Sequence, residues 1–408
     1  MDVSQIPVLT AEDFRRRHAW ASRRGLRWWL WPDVEPAAWS AALSQICAIV
    51  RDVMSEGASS RKLEGDAAPF SVAAYTSGMG PLLGFWLQNG RISAEPDIAA
   101  MLGAHLSHNR LRMEMLLRET LGAVERLAAA RIGSVIIKGM HTAFDYFPAP
   151  ETRPVTDVDI VVQPQDISAA EAVLQAAGYV ARPRLRVPYQ CDWTRPDVPE
   201  HPLTLTNVHC GDPWAFDLQT TFNRHLTGAG VVDIDRLIDE RALRPWTPSS
   251  CARVLQTPEL VVHLAAHASQ NIINLNLLRL TEIALVAKKD GARCWEKAPA
   301  LLERIGPRHV YPALSLCERL LPGTVPADIL MLCEQDAPAR LCRLITRLDL
   351  SALQMLDRHS LGARYMWSSG ALDYLRQVLS EFVPYRTMRP YQWPAFYFER
   401  VRAVCRIR

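Results

Sequence analysis

Hydrophobic positions along this chain change their period twice. Over the first hundred or so residues they recur every three to four positions, in pieces such as EPAAWSAALSQICAIVRDVM and PLLGFWLQNGRI. That spacing predicts helices separated by Gly, Ser and Pro breaks. Between 105 and 131, Leu111, Met115, Leu117, Leu121, Val124 and Leu127 stand at near-helical spacing and predict one long amphipathic helix. The pattern then turns into unbroken apolar runs. GSVIIKG (133–139) reads as a strand covered on both faces, HTAFDYF as a short helix or turn, and RPVTDVDIVV (153–162) as a second strand. DISAAEAVLQAAGY follows as a helix opened by Asp166 or Ser168 and stopped by Gly178. LTLTNVHC (203–210) and AFDLQTTF (215–222) predict two more strands around a turn at Gly211, Asp212 and Pro213. After about residue 255 the helical period returns, in TPELVVHLAAHASQ, LNLLRLTEIALVAKK, CWEKAPALLERIG and YPALSLCERLL. The expected organisation is an N-terminal helical region (1–104), a mixed α/β unit (105–245) and a C-terminal helical region (246–408).

Length and composition agree with that division. A chain of 408 residues with 49% hydrophobic content can fill two or three packed subdomains. A net charge of +3 is too mild to indicate a nucleic-acid surface by itself. Only five of the cations are lysines, Lys62, Lys138, Lys288, Lys289 and Lys297, so each can be weighed individually. Nine scattered cysteines without a CxxC pair argue against a zinc site or a disulfide scaffold and fit a reducing, cytoplasmic setting. The N-terminus is acidic and polar, and no apolar run reaches the roughly 18 residues a membrane span needs, so neither a signal peptide nor a transmembrane segment is expected. Segments 23–39 and 390–408 mix aromatics with arginine. They suit a membrane surface or a partner groove, or simply terminal helices packed on the core.

The candidate chemistry lies in the second strand. Side chains two apart share a face, so Asp157 and Asp159 project their carboxylates side by side at the strand end. Like charges that close repel, and a cation between them is the chief way to hold both ionised. Hard oxygen ligands select Mg²⁺ or Mn²⁺. A third carboxylate on a neighbouring strand would complete a two-metal site for in-line displacement, and Asp217 in WAFDLQTTF is the best placed. His263 and His267 stand four apart, as helical metal ligands do, but the Glu of HExxH is missing, which favours core or cleft histidines. The Pro-rich segment 187–205 is either a substrate loop or an ordinary surface connection.

The order VIIKG, RPVTDVDIVV, a helix ending AAGY and an Asp-bearing strand resembles an uncharacterised bacterial nucleotidyltransferase family of the polymerase β-like superfold. The resemblance covers the chain from the helix near 110 to the helices near 290. It implies an α+β palm with a small mixed sheet, flanked by N- and C-terminal helical regions. It also implies transfer of a nucleoside monophosphate, AMP being favoured, from a Mg²⁺- or Mn²⁺-bound nucleoside triphosphate, with ATP favoured, to a hydroxyl on a small molecule, peptide or protein. Carried over to this sequence, Asp157 and Asp159 would hold both metals. Asp217 would bind the catalytic one and help deprotonate the acceptor. Lys138 and Gly139 would meet the triphosphate, with Arg153 as a second phosphate contact. Two departures stand out: Gln219 and Thr220 follow Asp217-Leu218 where the family has His-Trp, and LRLTEIALV carries Glu282 where an Asp is common. Two alternatives stay open. One is a tRNA-modifying or toxin-type enzyme using Arg182, Arg184 and Arg186, and the other a silent scaffold that binds a biosynthetic partner.

Overall fold

Proline in the first turn, where its missing N–H costs nothing, opens three of the four N-terminal helices among the described residues. These are α1 (Pro36–Glu56), α2 (Ala67–Ser77), α3 (Gly80–Gln88, with Pro81) and α4 (Pro96–Ala129). The computed structural model describes residues 34–183, 190–196, 214–226, 230–270, 272, 275–355, 366–368, 370–380, 393–394 and 397–398. Much of the two arginine and aromatic segments, the expected strand at 203–210 with its turn, and Arg184 and Arg186 lie outside the described residues.

Helix α4 begins at Pro96 rather than near 105 and runs 34 residues. Leu111, expected on its packed face, is 54% exposed. The buried stripe instead runs through His105, Asn109, Arg112, Leu116, Thr120, Ala123 and Leu127. Four of these are polar, and His105, Asn109 and Arg112 lead the stripe, so hydrophobicity alone set the face wrongly at its N-terminal end. Those polar residues secure the chain that enters the candidate site: Asn109 Nδ2 donates to the Glu151 carbonyl at 2.5 Å, and Arg112 Nε to the Val155 carbonyl at 2.6 Å. Helix α3 packs so close to α4 that a Cβ at Gly84 would run into the Leu102 carbonyl.

At the same crossing His105 is fully buried, its Nε2 3.0 Å from Ser71 Oγ. Burial holds its pKa down at about 3, against 6.5 for a free imidazole, with His108 pushing the same way. The unfolded chain therefore takes up a proton below pH 6.5 that the folded chain refuses until about pH 3. Stability contributed by neutral His105 is complete above pH 6.5 and is lost as the pH falls through that window. We expect urea-unfolding free energies to decline on acidification, by up to about 1.4 kcal/mol per pH unit for each such histidine. His105→Gln should flatten the slope by one proton; an unchanged slope would contradict the assignment.

The remaining elements form a small two-stranded ladder, β1 (Lys62–Leu63) with β2 (Ser93–Ala94), and a central sheet. The central strands are β3 (Ser134–Ile137), β4 (Asp157–Val162), β5 (Val180–Pro183), β6 (Gln190–Thr194) and β7 (Ala215–Gln219). Helix α5 (Gly139–Asp145) connects β3 towards β4, and α6 (Ile167–Ala176) connects β4 towards β5. A hairpin of β8 (Arg224–Leu226) and β9 (Gly230–Val232) follows, then β10 (Leu243–Trp246) and β11 (Ser249–Leu255). The seven-stranded sheet has the order β10-β11-β3-β4-β7-β6-β5. It is mixed: β4 runs parallel to β7 and antiparallel to β3. Among the described residues the antiparallel partner of β7 is β6. The expected boundary at 245 falls inside β10, and the one at 104 inside α4.

Among the described residues seven further helices follow: α7 (Thr257–Gln270), α8 (Leu277–Asp290), α9 (Ala298–Ile305), α10 (Tyr311–Leu320), α11 (Ala327–Asp336), α12 (Ala339–Arg347) and α13 (Ala371–Ser380). The two helical regions share one core. Trp39, Ile46 and Phe70 from the N-terminal side belong to the same buried cluster as Leu260, Leu280 and Leu316 from the C-terminal side. A second cluster fills the space between the sheet and helices α4 and α6, with Leu116, Val124 and Leu174 against Val158, Ile160, Phe216 and Leu218. Because strand side chains alternate, those four strand residues fix the opposite face for Asp157, Asp159, Asp217 and Gln219. That face also carries Val161, a member of the larger cluster. The carboxylates therefore stand on the side of the sheet turned to the shared helical core.

Candidate active site

Parallel pairing of β4 and β7 sets Asp159 directly opposite Asp217 and Asp157 opposite Ala215. One carboxylate oxygen from each of Asp157, Asp159 and Asp217 lies within 4.8 Å of the others. Asp159 and Asp217 are 2% and 1% exposed, whereas Asp157 is half-buried. The three aspartates singled out in the sequence are thus brought together. On the other side of β7, Asp192 of β6 stands opposite Asp217, a placement sequence reasoning did not foresee.

Strand β3 pairs Ile137 with Asp159, so the next residue, Lys138, arrives beside the triad. Its ammonium donates to Asp159 Oδ1 in a buried ion pair, and Gln219 Nε2 donates to the same oxygen at 2.9 Å. Burial pushes the Asp159 carboxyl above its ordinary range; Lys138 opposes this push and the Asp157 charge adds to it. The departure at Gln219 therefore supplies a neutral donor that fixes the Asp159 carboxylate. Lys138 has φ 53° and ψ −124°, a region normally left to glycine. Such backbone stores on the order of 1–3 kcal/mol and persists only where surrounding contacts hold it.

Gly139 is close-packed, though against protein. A Cβ there would sit 2.8 Å from Arg153 Nη1 and 3.3 Å from Val155 Cγ2. Arg153 itself is engaged with the second departure, Glu282 of α8. Its Nη2 donates to Oε1 at 3.0 Å and to Oε2 at 3.2 Å, and its Nε to Oε1 at 3.1 Å. Thr142 of α5 also donates to Glu282 Oε1. The guanidinium anticipated as a phosphate contact is thus tied to helix α8 in this structure.

Sequence reasoning missed Arg224, on β8 just beyond β7. It is 7% exposed, its Nη2 lies 2.8 Å from His263 Nε2, and its Nε has no hydrogen-bond partner among the described residues. Burial works against its charge, and the charges of Asp159, Asp217 and Asp157 work to keep it. Burial, reinforced by Arg224, keeps His263 neutral well below the usual range, so its Nε2 accepts from the guanidinium. His263 is fully buried and, among the described residues, belongs to no metal-ligand set, in keeping with the core or cleft histidine that its apolar flanks suggested. Burial and Arg279 likewise depress His267. The sole sequence signal for Arg224 is a lone arginine shortly after an Asp-bearing strand, too common to use without the sheet. Arg182, on β5, is exposed and pairs in register with Asp192.

An all-oxygen set of clustered carboxylates suits a hard divalent ion, and Mg²⁺ or Mn²⁺ fits it better than zinc, which favours nitrogen and sulfur. Among the described residues no helix is long and apolar enough to cross a membrane. The sequence profile of a family described as uncharacterised nucleotidyltransferases matches residues 67–322, extending beyond the resembling segment at both ends. No curated protein and no solved structure matches the chain. With a family match over more than half of its length and the acidic triad assembled on a mixed sheet between helical regions, the chain belongs to the uncharacterised nucleotidyltransferase family of the polymerase β-like superfold.

Proposed function

We propose that the protein moves a nucleoside monophosphate, AMP in the favoured case, from a nucleoside triphosphate to a hydroxyl on a small molecule, peptide or protein. The observation that carries this reading is the convergence of Asp157, Asp159 and Asp217 from two parallel strands in a nucleotidyltransferase-family chain. Asp157 and Asp159 would hold two Mg²⁺ or Mn²⁺ ions, with Asp217 sharing the catalytic one. Bound there, the ions would neutralise phosphate charge and make the acceptor hydroxyl more acidic. Asp217 takes the hydroxyl proton as the acceptor oxygen bonds to the α-phosphorus. The bond from that phosphorus to the bridging oxygen breaks, and pyrophosphate leaves with the electron pair.

The other residues position and neutralise, which is most of what phosphoryl chemistry asks of a protein. Lys138 supplies a compact positive charge to the phosphates, and Gly139 keeps the turn beside it narrow. Arg153, anchored by Glu282, packs beside that turn and is the second phosphate contact in this reading. Gln219 keeps Asp159 oriented, which supports an active site rather than a silent scaffold. Seven free cysteines among the described residues support a reducing, cytoplasmic setting.

The test has two arms. Cell extract incubated with the protein and isotopically labelled nucleoside triphosphates should yield adducts one nucleotide heavier, detected by mass spectrometry. Calorimetry should show metal-dependent triphosphate binding by the wild type and none by Asp159→Ala. A wild-type protein without such binding would be a scaffold, and adducts confined to tRNA would favour the RNA-modifying alternative.

A further inference from the structure

Most of the triad's charge is already offset by the chain itself. Lys138 donates directly to Asp159, and Arg224 lies buried where the charges of all three aspartates act on it. Three carboxylates against two cations leave one formal negative charge. A divalent ion entering alone would reverse that sign in a buried site, where charge interactions are poorly screened, and would compete with the Lys138 ammonium for Asp159. An ion arriving with a polyphosphate brings its own compensating negative charge.

The geometry points to Lys138 as an internal stand-in for the divalent ion: its ammonium holds Asp159 while no ion is bound and passes to the polyphosphate when ion and nucleotide enter together. Three further observations support this role. Lys138 and Gln219 converge on the same oxygen, Oδ1, so the neutral amide keeps the carboxylate oriented after the ammonium leaves. A lysine carries its charge on a flexible four-carbon stem, suited to such a transfer, whereas Arg224 is fixed by His263. The backbone at Lys138 is held in a glycine-like conformation, which places its stem at the strand end facing Asp159. The consequence is thermodynamic coupling: ion and triphosphate each strengthen the other's binding. This inference rests on the nucleotidyltransferase reading and adds to it an obligation to bind the two ligands together.

The experiment titrates Mn²⁺ into the full chain by calorimetry, alone and with inorganic tripolyphosphate, for wild type, Lys138→Met and Lys138→Gly. Wild type should bind Mn²⁺ about tenfold or more tightly in the presence of tripolyphosphate, within the usual range of coupling between sites. Both variants should bind Mn²⁺ alone about tenfold more tightly than wild type and lose most of the tripolyphosphate effect. A merely structural lysine would give the opposite sign, weaker binding throughout. Lys138→Gly relieves the positive φ, so it remains informative if Lys138→Met does not fold. Variants that bind Mn²⁺ alone no more tightly than wild type would overturn the stand-in role while leaving the nucleotidyltransferase reading intact. A folded wild type that binds no Mn²⁺ under either condition would overturn both.

Discussion

Asp217→Asn is expected to lower nucleotide incorporation on the order of 10³-fold, the scale seen when a preorganised charge-stabilising group is removed. The same substitution should leave the protein folded, with a melting temperature equal to or above that of wild type. Both halves follow from the triad. Three carboxylates held within 4.8 Å destabilise one another, as the upward push of the Asp157 charge on Asp159 illustrates. Neutralising one of them relieves repulsion while removing a metal ligand and the proposed proton acceptor. Incorporation is read from labelled triphosphate in extract, and folding from thermal melts monitored by circular dichroism. If Asp217→Asn kept full incorporation, the third carboxylate would have no part in the chemistry. A collapse of the melt would instead make it a structural residue.

Glu282→Ala should be among the most destabilising single substitutions in the chain. The Glu282 and Arg153 side chains are 3% and 13% exposed, so removing the carboxylate strands a guanidinium in a water-poor site. Breaking such a pair from one side costs about 3–5 kcal/mol, whereas replacing both partners by apolar groups is far milder. The double variant Arg153→Met with Glu282→Met should therefore recover most of the loss, with urea unfolding as the measurement. It should not recover transfer activity, because Arg153 flanks Gly139 at the turn that delivers Lys138 to the triad. A single variant as stable as wild type would mean that Arg153 has another anion to hold. Full activity in the double variant would remove Arg153 from the phosphate site.

Much of this arrangement was legible in the sequence, and what was not has a common cause. The Asp157 and Asp159 pair, its apolar continuation and the Asp217 strand could be read because period-two alternation is local. The helices after residue 255 were legible because their three-to-four-residue period is local too. Leu111 misled because the packed stripe of α4 is carried there by Asn109 and Arg112, whose burial depends on carbonyls more than forty residues downstream. Strands β5, β6, β10 and β11 escaped because short edge or near-edge strands with polar residues carry no clear alternation. The partners of Arg153 and Arg224 were out of reach altogether: Glu282 and His263 are separated from them by 129 and 39 positions.

The sequence by itself determined which face of each strand is acidic: Val158 and Ile160 must be buried on one side, which commits Asp157 and Asp159 to the other, and Phe216 and Leu218 do the same for Asp217. Only the tertiary structure decided that these two faces meet, by laying β4 parallel to β7 in the register that sets Asp159 against Asp217 and by bringing Lys138 and Arg224 in beside them. The physical reason is that alternation is a property of one strand, whereas register belongs to a pair. A slip of one residue would have buried Asp217 against the apolar cluster instead.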